Sequence, residues 1–168
     1  MIPLIPYKRF FVNSSLTLNE AIEALSKTVT PRKKRWFQWS WFGGGNFEGV
    51  VAREGFTIER AISYRNSFLP ILHGTFHPHV NGTKIEVVMK MHPLVIGFSI
   101  FWCLGVVSGM IGLLVQSIAS REINTGVFIT FGMLVFFYLM TTLSFGFEAQ
   151  KATQFICGVF KVNEGDKL

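Results

Sequence analysis

The sequence predicts an α+β cytoplasmic domain, an N-terminal helix plus a four-stranded antiparallel meander, joined to a transmembrane helical hairpin and a short amphipathic tail helix. Three observations carry that expectation. Two uncharged apolar stretches, Pro93 to Ser120 and Ile123 to Phe147, are separated only by a stub holding Arg121 and Glu122. From Asn46 to Met91 apolar and polar residues alternate with period two, the signature of half-buried strands. Between Leu18 and Val29 apolar residues recur at helical spacing. The chain thus divides into a cytoplasmic domain over 1–92, a membrane hairpin over 93–147 and a cytoplasmic amphipathic tail over 148–168.

Residues 1–13 read as an extended lead-in ending in Phe10, Phe11 and Val12. Thr17 and Glu20 then fit a capping box, in which each side chain reaches a backbone N–H that the first helical turn leaves unpaired. Leu18, Ala21, Ile22, Leu25 and Val29 form one apolar stripe, and Pro31 stops the pattern. The run PRKKRWFQWSWFGGG follows, with neither helical nor strand period. Glu54-Gly55 can close a hairpin that pairs Val51 with Ile58 and Phe47 with Ile62. Asn81-Gly82 is the stronger turn signal, because both residues tolerate positive φ. With it as the loop, Val80 pairs with Thr83, Phe76 with Val87 and Leu72 with Met91, and one face collects the apolar side chains. His73, Thr75, His77 and His79 fall on the other face, opposite Lys90, Val88, Glu86 and Lys84. Ser63 to Ser67 connects the hairpins. The apolar face needs a cover, for which the 17–29 helix and the tail residues Ala149, Ala152, Phe155, Ile156 and Phe160 are the candidates. Pro93 opens the first apolar helix, where its missing N–H costs little.

A hydrocarbon core roughly 30 Å thick takes about 20 helical residues, and each apolar stretch exceeds that without an ionisable group inside. Of the 16 Lys and Arg, twelve precede Pro93, one lies between the stretches and three follow them. By the positive-inside rule this predicts a two-pass inner (plasma) membrane protein with both termini cytoplasmic. The opening MIPLIPYKRFF has no apolar core of signal-peptide length, so the first span is expected to serve as the insertion signal. Cys103 lies in a span and Cys157 in the tail, so no disulfide is expected.

Three sets of residues are candidate sites. Arg32, Lys33, Lys34 and Arg35 with Trp36, Trp39 and Trp41 match a membrane-surface or partner-binding segment, the indoles at headgroup level and the cations near anionic phosphates. Gly105, Ser108, Gly109 and Gly112 form a small-residue stripe suited to helix–helix packing, within the hairpin or between copies. Arg60 interrupts the apolar strand face opposite Gly49 and reads as a packed, paired arginine; together with Arg53 and Arg65 it is the alternative candidate for anion binding. The histidines read as a solvated strand face, with His77 paired to Glu86, in preference to a metal site, and no cofactor or metal is expected. No nucleophile elbow, P-loop or zincin motif occurs and no aspartate precedes Asp166, so the chain is not expected to be an enzyme. The basic excess is explained by topology, and no pattern points to nucleic acid.

The run FEGVVAREGFTIERAISYRNSFLPILHGTFHPHVNGTKIEVVMKMHP, especially YRNSFLP and NGT, followed by a hairpin and a short tail, resembles a loosely defined group of small bacterial two-helix membrane proteins with no assigned activity. The resemblance implies a location and a layout alone. The expected function is that of a non-enzymatic inner-membrane accessory or scaffold protein, bound to anionic lipids and acting as a homo-oligomer or as a subunit of a membrane complex. The alternative is a ligand-gated oligomeric membrane effector that responds to a phosphate-bearing signal.

Overall fold

The computed structural model describes residues 6–31, 47–61, 66–80 and 82–162. In chain order the elements are β1 (Tyr7–Ser14), α1 (Leu18–Thr28), β2 (Thr30–Pro31), β3 (Phe47–Val51), β4 (Gly55–Arg60), β5 (Pro70–His79), β6 (Gly82–Met91), α2 (Pro93–Ser120) and α3 (Gly126–Val159). The strands form one six-stranded sheet in the order β1-β6-β5-β4-β3-β2. The meander is therefore real but flanked on both sides. The N-terminal lead-in is strand β1, antiparallel to β6, and the two residues after α1 form β2, parallel to β3. Mixing apolar and basic neighbours, the lead-in shows no clean alternation, yet Phe10 and Val12 point into the core while Arg9 points out. Pairing with β6 satisfies the backbone groups that an unpaired edge would leave open.

Both hairpins close one residue earlier than the turn signals predict. Ala52 and Gly55 exchange backbone hydrogen bonds of 2.8 and 3.3 Å, which makes Arg53-Glu54 the loop and pairs Val51 with Phe56, Gly49 with Ile58 and Phe47 with Arg60. In the second hairpin Gly82 is already a strand residue opposite His79; Asn81 lies outside the described residues. The glycines serve close approach. A Cβ on Gly55 would run into the carbonyl of Gly74, and one on Gly82, whose φ is +134°, into the carbonyl of Ser14 on β1. Each slip changes the pairing by two positions, so every side chain keeps its face. One expected contact moves: Ile58, not Arg60, lies against Gly49.

The core lies on one side of the sheet. Ile58, Leu72, Ile85, Val87 and Met89 are fully buried there, beneath Ala21 and Leu25 of α1 and Phe145, Ala149, Ala152 and Ile156 of α3. Removing each large side chain from water contributes about 1.5–3 kcal/mol. Helix α1 starts as its capping box requires: the Thr17 amide donates to Glu20 Oε2 at 2.9 Å and the Glu20 amide to the Thr17 hydroxyl at 3.5 Å, while that hydroxyl also donates to Glu20 Oε2 at 2.7 Å. At the other end of the sheet the Leu94 amide donates to Nδ1 of His92, which caps α2, and Pro93 occupies the first turn.

Helices α2 and α3, of 28 and 34 residues, are each long and apolar enough to cross a membrane by length and composition. Their most apolar stretches are not core segments. None of the most apolar stretch of α2 is buried, and only 11% of that of α3. Helix α3 runs without a break from its exposed apolar half into the core beneath the sheet, so tail residues 148 to 159 belong to the same helix as the second apolar stretch.

Two outcomes test this packing. The Phe56 ring fills the space a side chain at Gly74 would need, so Gly74→Ala should destabilise the domain by about 1–3 kcal/mol in chemical unfolding, with Phe56→Leu partly compensating. Hydrogen bonds from the Thr17 hydroxyl, and next its amide, hold the Glu20 carboxyl below the ordinary range. A depressed carboxyl stabilises the folded state above its unfolded pKa, and that contribution is lost as pH falls through the folded value. Amide-exchange protection of the first turn of α1 should therefore fall on acidification below about pH 4.3, and Glu20→Gln should flatten the dependence.

Candidate functional site

The two long helices leave the sheet at the same end. There β6 finishes at Met91, opposite Pro70, and β4 finishes at Arg60, opposite Phe47. Helix α3 enters beneath this end at Glu148, whose side chain is 4% exposed although it is a carboxylate. Arg60 Nη1 meets Glu148 Oε2 at 2.6 Å, and Lys151 Nζ meets Glu148 Oε1 at 3.1 Å. A buried carboxylate is tolerable only when its lone pairs are taken up by cations and donors, which these two supply. Further along α3, Phe155 stacks on Phe47 with ring centroids 4.0 Å apart, and Lys8 Nζ donates to Thr153 Oγ1 at 2.9 Å. At its far end the Ser14 hydroxyl donates to the Phe160 carbonyl. Strands β1, β3 and β4 thus all grip the same helix. This is a joint between the sheet and the apolar hairpin.

Sequence reasoning did not single out Glu148, Lys151, Lys8 or Thr153. The signal was present: Glu148 is the first charge after a long uncharged stretch, and it stands four residues before Ala152 and seven before Phe155, on the apolar stripe of the tail. A carboxylate on that stripe calls for a cation on the surface it packs against, and the paired reading of Arg60 supplies one.

The segment from Arg32 to Trp41, comprising Arg32, Lys33, Lys34, Arg35, Trp36, Trp39 and Trp41, lies outside the described residues, as does Arg65. The residues flanking the segment are placed: Pro31 pairs with Gly49 and Phe47 opens β3, so both attachments sit within the first three residues of β3, at the helix end of the sheet. Of the anion-binding candidates, Arg53 is exposed in the β3–β4 turn and Arg60 is held by Glu148 at the opposite end of β4. These two do not converge. On α2, Trp102 stacks on Phe137 of α3 with centroids 4.5 Å apart, and Leu113 reaches Gly126. Gly105, Gly109 and Gly112 lie elsewhere on α2, with nothing within 4 Å of an added Cβ among the described residues, and Ser108 is exposed beside them. The small-residue stripe is therefore not the contact between α2 and α3.

On the open face of the sheet, His73 Nδ1 lies 3.2 Å from the Thr57 hydroxyl. The register sets Lys84 opposite His77 and Thr75 opposite Glu86, so His77 reaches Glu86 only diagonally, at 3.8 Å, while Arg9 holds Glu86 at 2.8 Å. Among the described residues no group of three His, Cys, Asp or Glu is placed to hold a metal ion, and Cys103 and Cys157 are free thiols. No protein-family model, curated protein or solved structure matches the chain.

The joint makes a quantitative demand. Removing the cation with Arg60→Met leaves Glu148 with less compensation and should destabilise the protein by about 3 kcal/mol, lessened by Lys151. The double substitution R60M/E148M, which replaces the pair with apolar side chains, should recover most of that loss in detergent-solubilised unfolding measurements.

Proposed function

We propose that this protein is a non-enzymatic accessory or scaffold protein of the inner membrane. It crosses the bilayer twice with both termini in the cytoplasm, and it presents a small domain at the membrane surface to a partner or to another copy of itself. The observation that carries the reading is the exposure of the apolar helices. Phe101 is 77% exposed and Ile118 78%, and beyond their contact with each other the apolar stretches of the two helices find little cover among the described residues. A continuous apolar surface of that length is strongly unfavourable in water and is satisfied in hydrocarbon, where a helix also pairs its own backbone groups. The basic excess on the domain side, against the Arg121-Glu122 stub, supports the orientation.

Anionic lipid is the proposed partner of the Arg32 to Trp41 segment, whose attachments lie at the end of the sheet from which both apolar helices depart. Self-association or assembly into a membrane complex is supported by the small stripe on α2, which α3 leaves uncovered. No cofactor and no nucleic acid enters this reading.

Alkaline carbonate extraction of native membranes tests the anchor: the protein is expected in the membrane pellet, and its release would overturn the reading. The lipid contact is tested in vesicles with Trp102→Phe protein. Brominated lipids should quench the remaining indoles more strongly when anionic lipid is present, and replacing Arg32, Lys33, Lys34 and Arg35 with Gln should abolish that difference.

A further inference from the structure

The face of the sheet turned away from α1 and α3 has no described helix over it, and its charge is unevenly distributed. Across the β1, β6 and β5 side it carries Arg9, Lys84 and Lys90 against Glu86 alone, whereas the β4 and β3 side carries Glu59 and Glu48 with no strand cation. The row nearest the apolar helices is the most ordered. In register it reads Tyr7, Lys90, Ile71, Glu59, Glu48, from one edge of the sheet toward the other. Glu59 and Glu48 stand directly opposite each other, an arrangement of like charges that is unfavourable unless cations lie near.

We propose that this open face is a homodimer interface in which two copies stack face to face about a two-fold axis running along β5. The proposal rests on the membrane reading above, which restricts the symmetry. The last strand leads into α2 with only His92 between, and α3 passes from its apolar half straight beneath the sheet, so the strands run broadly along the direction of the apolar helices. Two axes lie in the plane between stacked sheets. The one across the strands would send the two hairpins in opposite directions, and the one along the strands keeps both in one bilayer. Antiparallel pairing of two β1 edges fails for the same reason.

Rotation about β5 exchanges β6 with β4 and β1 with β3. Lys90 then faces Glu59 of the partner subunit, Tyr7 faces the partner's Glu48, and Ile71 meets its own copy in the middle. The Lys90–Glu59 ion pair and the Tyr7–Glu48 hydroxyl–carboxylate contact each form twice, around an apolar centre. Both carboxylates also have interactions within their own chain, which the dimer contacts supplement. Val50, 62% exposed, and Tyr7, 45% exposed, provide apolar surface to bury as the sheets approach at about 10 Å. The small-residue stripe of α2 is likewise left uncovered by α3.

Thr75 lies on β5 and is exposed, so Thr75→Cys should cross-link to its own copy when full-length protein is oxidised in native membranes. Thr28→Cys, exposed on α1, is the control and should not. Lys90→Glu should lower the T75C dimer yield several-fold, and K90E with E59K should restore it. A protein that resists carbonate extraction but yields no T75C dimer above the control would overturn the proposal. A dimer indifferent to the charge swap would overturn the Lys90–Glu59 contact and with it the axis. Extraction by carbonate would instead sink the membrane reading, and T75C cross-linking of the soluble protein would then decide the stacking on its own.

Discussion

One unbroken helix governs this structure. The first half of α3 is apolar and exposed, the second half is sealed against the sheet, and no loop separates them. A helix has no hinge unless its hydrogen-bond ladder is interrupted, so the sheet and the hairpin are mechanically one body. The sheet depends on that helix in turn. Without Phe145, Ala149, Ala152, Ile156 and Phe160 a large part of its apolar face would be uncovered, and α1 alone is only 11 residues long. The sheet domain is therefore assembled from β1 and α3, distant in sequence, around the meander between them, and its position relative to the apolar hairpin is fixed.

Glu148 shows how the change of surroundings along α3 is managed. It is the first charge after the uncharged stretch, and it is buried where the sheet begins, with Arg60 and Lys151 as counterions. A lone carboxylate at that depth would be costly; a paired one has a directional partner, because the planar guanidinium accepts only a narrow range of approaches. Hydrophobic packing presses α3 onto the sheet, and the ion pair helps set its rotation and height. The hydrogen bonds of Lys8 and Ser14 to the last turns of α3 repeat that function on β1.

Much of the fold was legible in the sequence because it rests on local rules. The Thr17 and Glu20 capping box, the stripe through Leu25, the alternation along β5 and β6 and the apolar helices all appear as read, since each is decided by residues within a few positions of one another. The turns were displaced because Gly55 and Gly82 answer to neighbours distant in sequence, the carbonyls of Gly74 and Ser14. Strand β1 was read only as an extended segment, since its partner lies far along the chain, Phe10 against Val87, and nothing in YKRFFVNS names that partner. Of the candidate site, the arginine was visible and its role as a paired group was inferred, but the carboxylate that pairs with it was not.

Read stretch by stretch, the sequence specifies an α+β part with a polar and an apolar sheet face, followed by two helices long and apolar enough to cross a membrane. Composition and period decide those properties, and each is a statement about one stretch of chain. Packing between distant segments is what makes the tail close over the sheet as a continuation of the second apolar helix, brings Arg60 and Glu148 together, and leaves the small stripe of α2 uncovered by α3. Those outcomes depend on which surfaces compete for the same apolar face, and that competition is settled by contacts between segments as far apart as β1 and the end of α3.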